Sequence, residues 1–161
     1  MYRHDNHVTS TATEELMATA IQVVFDTADP DREARFWAAA LGYEVQPPPD
    51  GFATWEAFLE AQGVPRERWN DASAIVDPAA TGPRIYFQRV PEGKVAKNRM
   101  HMDLNVSGGR KIPLADRKRA VDAEVSRLKA LGASDERGAI EREDEYWVRM
   151  NDPEGNEFCV Q

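Results

Sequence analysis

The sequence repeats one pattern twice, and this internal repeat limits the folds that the chain can adopt. An apolar segment at 21–26 and another at 101–106 are each followed by a helical pattern that ends in Ala-Leu-Gly, at 40–42 and at 130–132. Each half then closes with an Asp-Pro turn and a further strand pattern. A strand–helix–strands unit that is used twice can bury one common core and leave a cleft between its copies. The repeat therefore predicts that functional side chains lie on the strand positions that face this cleft.

The composition indicates a globular protein with an acidic surface. The 161 residues are 42% hydrophobic and 30% charged, and the formal net charge is −8. A chain of this length forms one domain or two small fused modules. The negative charge argues against nucleic acid and anionic membranes as partners, and no apolar run approaches the ~20 residues of a membrane span. The single cysteine, Cys159, excludes an internal disulfide and makes the cytoplasm the simplest expected location.

The order of the predicted elements indicates an α+β fold built from two βαβββ modules. Residues 1–18 are polar, lack periodic apolar positions and are interpreted as a mobile leader. The first module is predicted over residues 19–92 and the second over residues 93–161. The first module also contains a helical insertion at 52–70, which has no counterpart in the second.

Capping residues mark the boundaries of the first helix. Asp29 is a suitable N-cap, Pro30 suits the first helical position and Gly42 suits the C-cap, so a helix is predicted at 30–41. The helix of the second module is predicted from about 116 to 131. Its buried stripe is predicted to consist of Val121, Val125 and Leu128.

Strand side chains alternate between the two faces of a sheet, and this alternation sorts the polar positions from the apolar ones. In the strand predicted at 100–106, the polar face consists of His101, Asp103 and Asn105. The apolar face, which we expect the helices to cover, consists of Met102, Leu104 and Val106. By the same alternation, the inward positions of the other strands include Gln22, Arg84, Tyr86, Glu157 and Cys159. A concave sheet with such an inner face suits a ligand site.

Four stretches of the sequence resemble a known superfamily. They read DTADPDREARFWAAALGYEV, PRIYFQRVPEGKVAKNRMHMDLNV, AEVSRLKALGA and DPEGNEFCV, and the match spans residues 21–161. The chain thus resembles the vicinal oxygen chelate superfamily and, within it, the glyoxalase-like and bleomycin-resistance-like proteins. The resemblance implies two βαβββ modules that form a half-open eight-stranded barrel. It does not imply one reaction, because one fold hosts many functions.

The resemblance also implies where a metal would bind. Metal-dependent members of this superfamily place ligands on the first and last strands of each module. In this sequence the matching first-strand positions are occupied by Gln22 and His101. The position that is usually a glutamate is occupied by Cys159, and Glu157 lies one pleat earlier on the same strand. We therefore expect Gln22, His101 and Glu157 to be the metal ligands, with zinc, nickel, manganese or iron as the divalent ion. A pocket without any cofactor is an equal alternative.

Six residues form the expected substrate-binding set: Trp55, Phe58, Trp69, Tyr86, Arg99 and Cys159. The aromatic residues of the insertion form a wall over the cleft, a satellite hydrophobic cluster that caps the barrel, or both. Arg99 either holds a carboxylate or phosphate at the cleft mouth or belongs to a solvated linker. Cys159 is either an inert small residue or a thiol that a base such as His101 activates.

These residues leave two main functions open. The first is metal-assisted chemistry of the lyase or isomerase type on a small organic molecule, with Glu157 as metal ligand or proton shuttle. The second is non-catalytic binding that sequesters an amphipathic compound, and a structural domain without a ligand is a third interpretation. The sequence also leaves open whether the two modules pair within one chain or across a homodimer.

We expect residues 1–18 to be dispensable for folding. Without periodic apolar positions, this segment cannot offset the entropy lost on ordering it. Deleting it should leave the melting temperature unchanged when unfolding is followed by circular dichroism. A decrease of several degrees would mean that the segment packs against the core.

Overall fold

The two halves of the chain share the succession βαβββ, to which the first half adds a helical insertion. The first half comprises β1 (Gln22–Thr27), α1 (Pro30–Leu41), β2 (Glu44–Val45), α2 (Trp55–Ala61), a 3₁₀ helix (Arg66–Arg68), β3 (Ala72–Val76) and β4 (Arg84–Arg89). The second half comprises β5 (Asp103–Leu104), α3 (Leu114–Ala130), β6 (Ala139–Arg142), β7 (Glu145–Asn151) and β8 (Glu157–Val160). This computed structural model describes residues 19–135 and 137–161, so the interpretation of 1–18 as a mobile leader falls outside the described residues.

The strands divide between two four-stranded sheets of identical order. One sheet runs β1-β4-β3-β2 and the other β5-β8-β7-β6. In each sheet the first strand is parallel to the last, and the remaining pairs are antiparallel. Within the described residues, no hydrogen-bonded ladder joins one sheet to the other. The predicted α+β class with two βαβββ units is confirmed.

The caps predicted from sequence define α1. The Asp29 carboxylate accepts a hydrogen bond from the backbone N–H of Arg32 at 3.3 Å, and Pro30 occupies the first turn. At the other end Gly42 adopts φ 71°, a left-handed conformation that glycine enters without steric penalty. The helix therefore begins and ends where the sequence predicts.

One hydrophobic core joins the two halves, and Trp37 of α1 lies at its centre. The Trp37 ring contacts Phe25 of the first sheet, with 5.5 Å between centroids, and Phe158 of the second sheet, with 5.1 Å. From the other side, α3 buries the stripe predicted for it, Val121, Val125 and Leu128. The helices of this core, α1 and α3, pack on the apolar faces of the sheets and do not cover the polar faces.

Both ends of α1 are bound by side chains from the second half. At the N-terminus, the Glu154 carboxylate accepts a hydrogen bond from the backbone N–H of Asp29 at 2.8 Å. At the C-terminus, the Arg127 guanidinium donates to the carbonyl oxygens of Ala39 and Ala40 at 2.9 and 2.8 Å. These charges also match the helix dipole, which favours anions at the N-terminus and cations at the C-terminus.

Two details differ from the sequence-based expectation. The strand predicted at 100–106 is reduced to Asp103–Leu104, although the backbone of Met102 and Val106 still bonds to Cys159 and Gln161 on either side of it. Val106, which we expected the helices to cover, is 36% exposed, because it lies beyond the end of the short β5. None of the helices in the described parts of the chain combines the length and apolar character needed to cross a membrane.

A buried pair of acidic residues joins α1 to the second half of the chain: Glu33 lies on the buried face of α1, and Asp152 follows β7. Glu33 is 0% exposed, and neither of its carboxylate oxygens has a hydrogen-bond donor among the described residues. Asp152, which is 3% exposed, accepts hydrogen bonds from the indole N–H of Trp37 and the side-chain amide of Asn156. Burial, followed by the charge of Asp152, raises the pKa of Glu33 to about 9. Glu33 is therefore protonated at neutral pH and can donate its hydroxyl to Asp152.

Replacing Glu33 with Gln should stabilise the protein near neutral pH. Between the unfolded pKa of 4.5 and the folded value of about 9, the folded protein holds one proton more than the unfolded chain. The stability contributed by this proton is complete below pH 4.5 and is lost as the pH rises towards 9, by at most about 1.4 kcal/mol per pH unit. Glutamine can donate to Asp152 without that proton, so Glu33→Gln should gain about 1–3 kcal/mol at pH 8.

Urea unfolding at several pH values measures this effect. The variant should show a flatter dependence of stability on pH than the unchanged protein. Glu60→Gln, at an exposed position of α2, is the matched control and should alter neither stability nor slope. An unchanged slope in Glu33→Gln would show that Glu33 is ionised in the folded protein.

The two faces of β5 should respond oppositely to truncation. Leu104 is 7% exposed in the common core, so Leu104→Ala should cost about 2–5 kcal/mol of unfolding free energy. His101 is exposed just before β5, so His101→Ala should cost far less. Chemical denaturation of both variants measures the difference. The reverse order would mean that the polar face of this sheet is the structural one.

Candidate functional site

A cavity of about 710 Å³ lies between the helical insertion and the polar face of the first sheet. Helix α2 contributes one wall, and β3 and β4 contribute the floor. The side chains used in the argument below are Gln46, Trp55, Trp69, Arg84 and Tyr86, all of which line the cavity. Its volume falls in the range of about 300–1,000 Å³ that is typical of small-molecule sites.

Hydrogen bonds to backbone carbonyls hold the two tryptophans of this cavity. The indole N–H of Trp55 donates to the carbonyl of Gln46 at 2.7 Å, and that of Trp69 donates to the carbonyl of Val64 at 2.8 Å. Because both ring N–H groups are satisfied within the protein, the apolar ring surfaces remain for a ligand. Phe58 packs edge-on against Trp55 and does not line the cavity, so it supports the wall from behind.

Arg84 brings a positive charge into the cavity, and its side-chain hydrogen bonds go to two neutral amides. Its Nε donates to the side-chain oxygen of Gln46 at 2.6 Å, and its Nη1 donates to that of Gln22 at 2.5 Å. The guanidinium also lies 5.2 Å from the centroid of the Tyr86 ring. In the described part of the chain, no carboxylate forms an ion pair with Arg84, although six other arginines have such partners. Neutral amides therefore hold this charge in place and do not compensate it.

A second, smaller cavity of about 310 Å³ opens on the polar face of the second sheet. Its lining includes Lys97, His101, Asp103, Trp147, Arg149, Glu157 and Cys159. A cleft of about 190 Å³ between β1 and the segment before β5 also contacts His101 and Glu157. His101 therefore stands where the edges of the two sheets approach each other.

Three potential metal ligands converge in the second cavity. One donor atom each from His101, Asp103 and Cys159 can be chosen so that all three atoms lie within 4.8 Å of one another. Asp103 and Cys159 are direct partners across the parallel β5–β8 pair, and His101 precedes Asp103 by two residues. Imidazole, carboxylate and thiolate donors together suit zinc better than magnesium or manganese, so the residues present fit a soft divalent ion.

The thiol of Cys159 is not prepared for nucleophilic catalysis. Cys159 is half-buried, and burial raises its pKa, as do the charge of Asp103 and a hydrogen bond to it. The thiolate is the nucleophilic form, and this environment disfavours it in the absence of a metal.

Glu157 is already engaged by the segment that leads into β5. Its carboxylate accepts a hydrogen bond from the backbone N–H of Asn98 at 3.0 Å and lies 3.1 Å from the Lys94 ammonium. Burial raises the pKa of Glu157, but these two partners outweigh it and lower the pKa to about 2. Glu157 is thus ionised, and its charge is neutralised by Lys94.

The structure distributes the expected site residues over two places. Trp55, Trp69 and Tyr86 line the first cavity, and His101, Glu157 and Cys159 line the second. Gln22 lies on the first sheet, where its side chain accepts a hydrogen bond from Arg84. His101 and Glu157 both line the 310 Å³ cavity and the 190 Å³ cleft, and Gln22 lines neither of these. Arg99 is exposed and lines none of these cavities.

Two residues that the sequence argument left without a functional role stand out in the geometry. Asp103 is a potential metal ligand, and its position on the same face as His101 was the signal that could have identified it. Arg84 lies on the inward face by strand alternation, but its two glutamine partners are remote in sequence. A sequence pattern does not disclose that a charge lacks an acidic neighbour.

Comparison with known proteins supports the fold. A family model described as a glyoxalase-like domain matches residues 22–161. No match was found among curated proteins. The structure resembles a glyoxalase/bleomycin resistance protein/dioxygenase family enzyme from Burkholderia phytofirmans PsJN, at 17% identity and a TM-score of 0.56, covering 86% of this chain and 94% of that one.

Two further solved structures are similar at the level of fold. A possible glyoxalase from Bacillus cereus is 14% identical, with a TM-score of 0.55 and coverage of 90% of this chain and 99% of that one. A mutant of the fosfomycin resistance protein FosX from Listeria monocytogenes, complexed with Mn(II) and dihydroxypropylphosphonic acid, is 12% identical, with a TM-score of 0.55 and coverage of 90% of each chain. Because the family model extends from β1 to the last residue, the chain belongs to the glyoxalase-like domain family, within the vicinal oxygen chelate superfamily that its sequence resembles.

Proposed function

We propose that the protein binds a small amphipathic organic anion, a flat apolar molecule with an acid group, in the cavity between the helical insertion and the first sheet. The observation that supports this proposal is the charge of Arg84, with which no carboxylate of the described residues pairs, in a cavity walled by Trp55 and Trp69. A carboxylate or phosphonate would supply the missing partner through charge-assisted hydrogen bonds.

The aromatic walls favour a flat apolar body for this ligand. Trp55 and Trp69 are held by hydrogen bonds before any ligand arrives, so little side-chain freedom is lost on binding. Tyr86 lies beneath the Arg84 guanidinium and keeps it from folding away from the cavity. The complex of FosX with an organic phosphonic acid provides an example of this fold holding a small organic anion.

Because the net charge of the protein is −8, a positive group in the cavity indicates which ligands the cavity can bind. The acidic surface repels anions on average, so an anionic ligand needs a specific positive group. Two nearby pairs cancel, because Arg35 binds Asp31 and Arg68 binds Asp71, whereas the Glu56 carboxylate also lines the cavity, on the wall that α2 contributes. Arg84 is therefore the group expected to select an acid over its neutral analogue.

A second candidate function is metal-assisted lyase or isomerase chemistry on the second sheet. The observation in its favour is the convergence of His101, Asp103 and Cys159 beside Glu157. For Glu157 to move a proton there, its pair with Lys94 would first have to open. Binding at the first cavity requires no such rearrangement and is the better supported function.

Calorimetric titration with an aromatic carboxylate series and the matching neutral amides tests the proposed function. We expect the carboxylates to bind more tightly than the amides. Arg84→Met should weaken carboxylate binding by about 10–100-fold, the range for losing a hydrogen bond to a charged group, and leave amide binding nearly unchanged. Arg66→Met is the matched control, because Arg66 also stacks on an aromatic ring, that of Trp69, but does not line the cavity.

A blocking variant separates the charge from the cavity itself. Ala72→Phe, on the cavity floor, should fill the space and abolish binding of both the acids and the amides. Circular dichroism melting checks that each variant is folded. Equal affinity for acids and amides, or an Arg84→Met variant that binds carboxylates normally, would refute the proposal.

A further inference from the structure

We propose that His101, Asp103 and Cys159 form a zinc-type metal site contained entirely within the second sheet. The observation that supports this proposal is the convergence of an imidazole, a carboxylate and a thiol on one open face of the β5–β8 pair. This inference is independent of anion binding at the first sheet, because the two cavities share no lining residue.

Strand geometry explains why these three side chains meet. Asp103 and Cys159 are direct partners in a parallel pair, so their side chains project from the same face at neighbouring positions. His101 stands two residues before Asp103, on the same side, and its Nε2 lies 3.7 Å from an Asp103 carboxylate oxygen. One donor atom from each of the three side chains lies within 4.8 Å of the other two.

The other residues that family position suggests are committed elsewhere. Gln22 accepts a hydrogen bond from Arg84 on the first sheet, and Glu157 is paired with Lys94 and the Asn98 backbone. Recruiting Glu157 would cost its ion pair and release the segment that it anchors. Among the described residues Asp103 pairs with no lysine or arginine, and its contacts are the hydrogen bond with the Cys159 thiol, His101 at 3.7 Å and the Gln161 amide at 3.4 Å. Asp103 therefore replaces Glu157 as the carboxylate ligand.

The donor set selects the class of metal. One nitrogen, one oxygen and one sulfur donor match the tetrahedral preference of zinc and leave a fourth position open towards the cavity. Hard ions such as magnesium and manganese prefer oxygen ligands and gain little from a thiolate. Binding releases the Cys159 thiol proton to solvent and uses a neutral His101 nitrogen, so the two anionic ligands balance the charge of the divalent ion.

Cobalt(II) provides the direct test, because a cobalt–thiolate bond gives a near-ultraviolet charge-transfer band. Untagged, chelator-treated protein should bind one equivalent of cobalt with this band, and zinc should displace the cobalt. Cys159→Ser should abolish the band, and Asp103→Asn and His101→Gln should each weaken cobalt binding at least tenfold. Glu157→Gln and Gln22→Ala should retain the band and bind within about threefold of the unchanged protein.

The site would be overturned by the absence of a charge-transfer band in the unchanged protein, by a band that survives in Cys159→Ser, or by a band that depends on Glu157 rather than Asp103. A variant in which His4 and His7 are both replaced by Ala should keep the band. If it loses the band, the ion is bound through the N-terminal segment, and the proposal fails. Melting curves of each variant without metal confirm that the loss of binding is not a loss of folding.

Discussion

Helix α1 is bound at both ends by the second half of the chain, and the relative placement of the two sheets depends on this attachment. Glu154 satisfies a backbone donor just before the helix, and Arg127 satisfies two carbonyls at its end. Between these points Trp37 packs against aromatic rings from both sheets. The protonated Glu33 lies on the buried face of the same helix. The apolar and charged contacts of α1 therefore act together to join two sheets that no ladder joins within the described residues.

This use of the apolar faces leaves both polar faces for ligands, and the two faces have different chemistry. The first carries aromatic rings and a guanidinium held by amides. The second carries an imidazole, a carboxylate and a thiol on adjacent strands. In both, charge compensation decides what a side chain can do. Glu157 is neutralised by Lys94 and fixes a segment, whereas no carboxylate in the described part of the chain pairs with Arg84, which is held by glutamine side chains.

Local signals predicted much of the fold, and long-range contacts account for what they missed. Asp29, Pro30 and Gly42 determined both ends of α1, and alternation along the strands identified the buried faces that include Leu104 and Phe158. The site was less accessible to sequence reasoning. The pairing of Gln22 with Arg84 spans 62 residues, and that of Asn98 with Glu157 spans 59. No local pattern encodes such partners, although they decide which residues are available to a ligand.

The helical insertion breaks the symmetry of the repeat, since α2 covers only one of two sheets with identical strand order. Substitutions in the insertion can reshape the first cavity while the backbone that aligns His101 with Cys159 stays the same. Changes on β5 likewise leave the tryptophan walls untouched. In a duplicated scaffold of this kind, the polar face of each copy can change independently during evolution, because the shared core stabilises both copies.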